Sequence, residues 1–258
     1  MFPIWLVARS VLIEAVRRRE VYVVVLLSTI LLGFVMTLDF FQMAGLAKFY
    51  REMALRVMSF ATAITVVVLA ARQLPREFET RTIYPLLAKP ISRASFVHGK
   101  LLGVMLAAGF CFAMFMTIFL LGSLYLRAPI PFALFLQYIY LQMLQMAVLA
   151  CLSFLLSLLM NLDAAITFGL LFFATSAIIT NALMAPEIFE STSNIGRLLI
   201  QFLNYAIPQL TLLDLSERTT HAWPAVPAKV MALLTGYAAV YAGIYYGAAL
   251  LVFRRRPL

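Results

Sequence analysis

Few residues in this chain could do chemistry, and their spacing excludes most reactions. His98 and His221 stand alone, and Cys111 and Cys151 sit singly inside long apolar runs. A zinc hydrolase needs His, Glu or Cys ligands at fixed spacing, and a serine hydrolase needs its nucleophile on a glycine-flanked turn. The chain has no HExxH, no GxSxG and no His/Cys cluster. Gly99-Lys100 lacks both the upstream glycine and the following Ser/Thr with which a phosphate loop wraps a nucleotide, so ATP is not bound in that way. The 13 methionines, Met143 and Met146 among them, lack a paired soft-ligand arrangement, and no metal site is expected. Two polar groupings remain. One is a stripe, Tyr138, Gln142, Gln145, Ser153 and Ser157, falling roughly on one side of a helix. Such groups either hydrogen-bond neighbouring helices or line a substrate path, and Gln142, Gln145 and Ser153 are the candidates for a path. The other is residues 72–100, RQLPREFETRTIYPLLAKPISRASFVHGK, with six Lys/Arg and two Glu in an otherwise very apolar chain.

The elements that position these groups are membrane spans. Of 258 residues, 64% are hydrophobic and 12% charged, and the mean hydropathy is +0.98. Soluble domains carry about a quarter charged residues. Apolar runs longer than about 18 residues predict helical spans, and the strict alternation of barrel strands is absent. Six spans are expected, at about 21–38, 53–71, 101–126, 132–160, 164–185 and 229–253. Residues 39–52 and 127–131 form outer connections, 161–163 is a tight turn, and 186–228 is a longer outer region with an amphipathic, interfacial or re-entrant stretch at 195–207. Lys and Arg number 13 in the N-terminal segment, the 72–100 loop and the C-terminal tail, against seven in the other connections. That bias puts both termini and the loop in the cytoplasm. The net charge of +9 belongs to the same asymmetry beside anionic lipid and does not imply nucleic acid. No signal for cleavage follows the first span.

Ahead of the first span, Ile4, Val7, Ala8, Val11, Leu12, Ala15 and Val16 recur at helical spacing. Arg9, Ser10, Glu14, Arg17 and Glu20 lie largely opposite, interrupted by Leu6 and Ile13. This predicts a basic amphipathic helix over 3–20 lying in the membrane interface, its apolar stripe in the acyl boundary. Within the charged loop, Pro75 is expected to open a short helix, Arg76–Leu87, and Pro90 to close it. Ser92 is expected to cap the helix entering the next span. Gly99 and Gly103 there, and Ala239, Gly243 and Gly247 in the last span, permit close helix approach within one subunit or between two.

Glu77, Glu79, Thr82, Leu86-Leu87, Pro90-Ile91-Ser92-Arg93 and Gly99-Lys100 follow one another in an order that resembles the cytoplasmic loop of ABC-2 type permeases. These are the membrane subunits of a class of ABC transporters. The likeness is nearest to the branch with the permeases of multicopper-enzyme maturation and gliding motility. Arg81 stands where many members carry Gly, and Pro85 replaces the usual apolar residue before Leu-Leu. The resemblance implies an all-α, type V exporter-like membrane fold with an N-terminal interface helix, in a cell membrane such as the prokaryotic inner membrane. It also implies a second permease subunit, identical or paralogous, and a separate ATPase subunit that binds the ATP and magnesium, with no cofactor in this chain. Arg76, Glu77, Glu79, Arg81, Thr82, Leu86, Leu87, Pro90 and Arg93 would then form the contact with the ATPase, and 161–163 a smaller one. The rival reading is a non-ABC lipid-modifying enzyme or scaffold; an enzyme would need acids or histidines converging at one membrane face.

Overall fold

A computed structural model describes residues 2–37, 43–79, 93–127, 131–184, 207–221 and 223–255, with 196 and 198. The described secondary structure is helical: α1 (Phe2–Arg17), α2 (Arg19–Met36), α3 (Met43–Glu79), α4 (Arg93–Tyr125), α5 (Phe132–Leu159), α6 (Leu162–Met184), a 3-10 turn at Leu210–Leu213, α7 (Ser216–Thr220) and α8 (Ala228–Arg255). Among the described residues, four helices are long and apolar enough to cross a membrane, over Gly45–Pro75, Ala94–Tyr125, Phe132–Leu159 and Ala228–Arg255. Two shorter apolar helices, Tyr22–Val35 and Leu162–Ile178, accompany them. Four of the six expected spans thus fall on helices long enough to cross, and those expected at 21–38 and 164–185 fall on the two shorter apolar helices.

α3 and α5 form the centre. Two-thirds of the apolar window of each (67%) is buried inside the protein, against 17% for α8. α5 packs on α3, α6 and α8, α4 packs on α3 and α1, and α2 lies along α3. α5 and α6 are joined by the extended Met160 and by Asn161, whose carbonyl accepts the amide of Ala165 and so starts α6.

Three expectations change. Residues 43–52, expected in an outer connection, are the first turns of α3. Leu46, Tyr50 and Ala54 recur every four residues and are buried. Tyr50 lies 6.4 Å from the Phe119 ring, and its hydroxyl donates to the Ile118 carbonyl at 3.2 Å. This helical packing outweighs the local charges of Lys48, Arg51 and Glu52. At the other end Pro75 does not open a helix; it lies inside α3, which runs on to Glu79. A proline removes one ladder bond and costs about 3 kcal/mol in a soluble helix interior. Here the flanking Gln73 and Leu74 are buried, so tertiary packing holds the helix through it.

The third change concerns α1. Its apolar stripe does not face lipid: Val7, Ala8, Val11 and Ala15 are buried, Val11 to 1% exposure, and α1 packs along α4. The outward face carries Trp5, Leu6 and Ile13, two of which break the polar sector in the sequence pattern. Gly99 and Gly103 are the cause. A Cβ on Gly99 would stand 2.8 Å from the Val7 Cβ, and one on Gly103 would stand 2.6 Å from the Val11 Cβ and 2.9 Å from the Ala8 carbonyl oxygen. The two glycines make a notch in α4, one turn apart, that receives Val7 and Val11. Gly243 and Gly247 of α8 meet no atom within 4 Å of such a Cβ. The amphipathic stretch at 195–207 lies largely outside the described residues.

Candidate coupling roots and buried polar seam

The charged run enters and leaves the bundle through two helices. The backbone of Arg76, Glu77 and Glu79 forms the last turn of α3, and Arg93 is the first residue of α4. Arg81, Thr82, Leu86, Leu87 and Pro90 lie outside the described residues. Both roots are locked. Lys100, only 5% exposed, donates to Gln73 Oε1 across the α3–α4 contact at 3.2 Å, and its ammonium lies 5.7 Å from the Phe96 ring centre. A buried ammonium is tolerated only with such partners. Phe96 stacks on Phe253 at 6.3 Å, and His98 meets Tyr246 edge-on at 4.9 Å, tying α4 to α8. The α1 notch begins at Gly99, one residue before Lys100. α1, α3, α4 and α8 therefore converge at the helix ends that flank residues 80–92.

The second site runs between α3 and α5. Gln142, Gln145 and Ser153 are all buried, Gln142 to 1% exposure. The Gln142 amide nitrogen faces Ser59 Oγ at 3.5 Å and Thr62 Oγ1 at 3.4 Å, both long contacts. Tyr138 Oη, the Oε1 atoms of Gln142 and Gln145, and Ser153 Oγ make no hydrogen bond among the described residues. Ser157 instead donates to the Phe154 carbonyl of its own helix. An unsatisfied buried polar atom costs about 1–3 kcal/mol, so this seam is under-bonded in the arrangement described. Ser153 also borders α6: a Cβ on Gly169 would lie 3.5 Å from Ser153 Oγ and 2.8 Å from Val67.

At the opposite end from the charged run, residues 207–221 and 223–227 form a cap held by side chains of four helices. Gln137 of α5 pairs twice with Val226: its amide donates to the Val226 carbonyl at 2.9 Å, and its Oε1 accepts the Val226 amide at 2.8 Å. Ser176 Oγ of α6 accepts the Leu210 amide at 2.6 Å, and Tyr237 Oη of α8 accepts the Gln209 amide at 2.7 Å. Arg56 of α3 reaches Glu217 of α7 at 3.6 Å. Within the cap, Asp214 accepts the Ser216 amide at 2.8 Å. Burial pushes its carboxyl pKa above the ordinary carboxylate value, and Glu217 adds to the rise; the Ser216 hydrogen bonds and the Arg56 charge oppose it.

The profile of the ABC-2 family transporter proteins matches residues 5–258, nearly the whole chain. The chain belongs to the ABC-2 transporter family. No curated protein matches it. As an ABC-2 permease it is a membrane-integral transport protein, which accounts for the long apolar helices among the described residues. The sequence pattern missed three groups in this permease. The Lys100–Gln73 bond joins residues 27 apart, Gln137 meets Val226 across 89 residues, and Asp214 is an ordinary loop acid until the fold desolvates it. Only the Gly99/Gly103 spacing carried a signal, and it left the partner helix open.

Proposed function

We propose that this permease is the membrane subunit of an ABC transporter that moves a substrate using ATP and magnesium bound by a separate ATPase subunit. Its reading includes six crossing helices, with α2 and α6 as the short ones, both termini in the cytoplasm of a cell membrane, and a second permease subunit completing the path. The 13-to-seven Lys/Arg asymmetry supports that orientation. α1 lies in the interface with Trp5, Leu6 and Ile13 toward the acyl boundary.

The observation that carries the coupling role is the convergence of four helices at the loop roots, with Lys100 bonded to Gln73 and α1 seated on Gly99 and Gly103. Residues Arg76, Glu77, Glu79, Arg81, Thr82, Leu86, Leu87, Pro90 and Arg93 contact the ATPase. Apolar residues supply affinity there, and mixed charges set register. ATPase closure pulls on α3 and α4 together and shifts α3 against α5, opening the under-bonded seam at Gln142, Gln145 and Ser153 to substrate.

The test is Glu77→Lys with Glu79→Lys, co-expressed with the ATPase subunit. Both residues lie beyond the Gly45–Pro75 span, so normal insertion is expected. Loss of ATPase co-purification and of permease-stimulated ATP hydrolysis supports the reading. An abundant double variant with unchanged affinity and stimulation refutes this segment as the coupling element.

A further inference from the structure

An open groove of about 440 Å³ runs between α2 and α3. Leu27 and Leu31 of α2 and Phe60 and Ile64 of α3 line it. Ser28 also lines it, but its hydroxyl is bonded to the Val24 carbonyl of its own helix at 2.8 Å. Arg56 is the charged residue on its wall. That guanidinium is not a bare cation: Nη2 lies 2.9 Å from Glu52 Oε1 and 3.6 Å from Glu217 Oε1. The groove is thus apolar along its walls, with Arg56 on its wall and the two carboxylates paired with Arg56 beside it, outside the lining; all three are at least partly open to solvent.

An occupant must be apolar along its length and polar at one end. A helix from a second copy of the chain would have to desolvate the Arg56 cluster, at a cost that burial of ion pairs seldom recovers. A phospholipid leaves its headgroup in water. Its chemistry is narrowed by the two carboxylates. A purely anionic headgroup meets Arg56 but also both glutamates. A choline headgroup carries a cation without an N–H to donate. An ethanolamine headgroup has a phosphate for the guanidinium and an ammonium with three donors for the glutamates, the same complement as a lysine side chain.

We propose that the α2–α3 groove binds an aminophospholipid of the ethanolamine type from the bilayer. One acyl chain lies between Leu27, Leu31, Phe60 and Ile64, the phosphate sits on Arg56, and the ammonium on Glu52 and Glu217. The site makes α2, the helix with few partners, part of a lipid-bound pair with α3.

The experiment is native mass spectrometry of the full-length permease purified with equimolar dioleoyl phosphatidylethanolamine, phosphatidylcholine and phosphatidylglycerol. The ethanolamine lipid is expected to be retained roughly tenfold over the other two, the ratio supplied by one charge-assisted hydrogen bond. Glu217→Gln, at a residue exposed enough to leave folding unaffected, should bring ethanolamine down toward choline. Leu27→Trp, which fills the groove from an exposed position, should release all three classes. Preferential retention of phosphatidylglycerol, equal retention of all three lipids, or retention indifferent to both substitutions overturns the proposal. Disulfide pairing of Leu27→Cys between two copies in the membrane also overturns it, by assigning the groove to a second permease.

Discussion

The same substitution at two glycines of α4 should have opposite effects. Gly103→Ala places a Cβ 2.6 Å from the Val11 Cβ and 2.9 Å from the Ala8 carbonyl oxygen. Carbon–carbon contact is optimal at about 3.5–4.0 Å, so α1 must retreat by roughly 1 Å, and a gap of that size forfeits about a quarter to a half of each dispersion contact nearby. The contacted atoms are a Cβ and a backbone oxygen, which cannot rotate aside. Overpacking of this kind costs about 1–3 kcal/mol. Val11→Ala should not rescue it, because alanine keeps the Cβ that is struck. Gly109, six residues on and on a different face of α4, meets nothing within 4 Å. There alanine only relieves glycine's backbone entropy, a gain of up to about 1 kcal/mol. Unfolding midpoints in one detergent, with hydrogen exchange of residues 2–17, should show Gly103→Ala destabilised with α1 loosened, and Gly109→Ala unchanged or more stable. Equal shifts for the two variants, or an unchanged α1 in Gly103→Ala, would refute the notch.

Other consequences are equally direct. Asp214 has a raised pKa, so the folded state holds its proton above the pH at which the unfolded chain releases it; its contribution to stability is greatest below the ordinary carboxylate range and falls as pH rises through the raised value. Asp214→Asn should flatten that part of a pH–stability profile and leave the neutral-pH midpoint equal or higher, and a profile that keeps the wild-type slope would remove Asp214 as its source. Gln137→Leu leaves the Val226 amide and carbonyl without their partner and should cost about 1–3 kcal/mol, read as faster hydrogen exchange confined to residues 207–227. Gln142→Leu removes an acceptor that is already unpaired, so the midpoint should hold or rise, whereas transport-coupled ATP hydrolysis should fall; unchanged hydrolysis would leave the residue as packing alone.

Much of the membrane architecture was legible from composition. Apolar runs long enough to cross a bilayer locate α5 and α8 to within a few residues of the expected spans at 132–160 and 229–253, whereas α4 begins at Arg93, ahead of the span expected from 101, and the cap expected at Ser92 lies outside the described residues. Local punctuation was a poorer guide. Pro75 reads as a helix start and the charges at 48–52 as a connection, yet both lie inside α3, because burial of Tyr50, Gln73 and Leu74 outweighs local propensity. The stripe on α5 was visible as polar spacing, but spacing does not distinguish a lined path from a closed seam.

The sequence by itself determined that this is a helical membrane protein, roughly where its apolar segments lie, and which residue order likens its charged loop to ABC-2 permeases. Those properties are local: hydropathy summed over 20 residues, and a motif read within 29. Only the tertiary structure decided what each helix face touches. α1 turned its apolar stripe onto α4 and its Trp5, Leu6 and Ile13 outward, since two glycines remote in sequence left a notch that side chains elsewhere would have filled. In a bilayer, lipid and protein are equally apolar partners for such a stripe. Shape complementarity between separate helices therefore chooses between them, and that is a property of the assembled bundle.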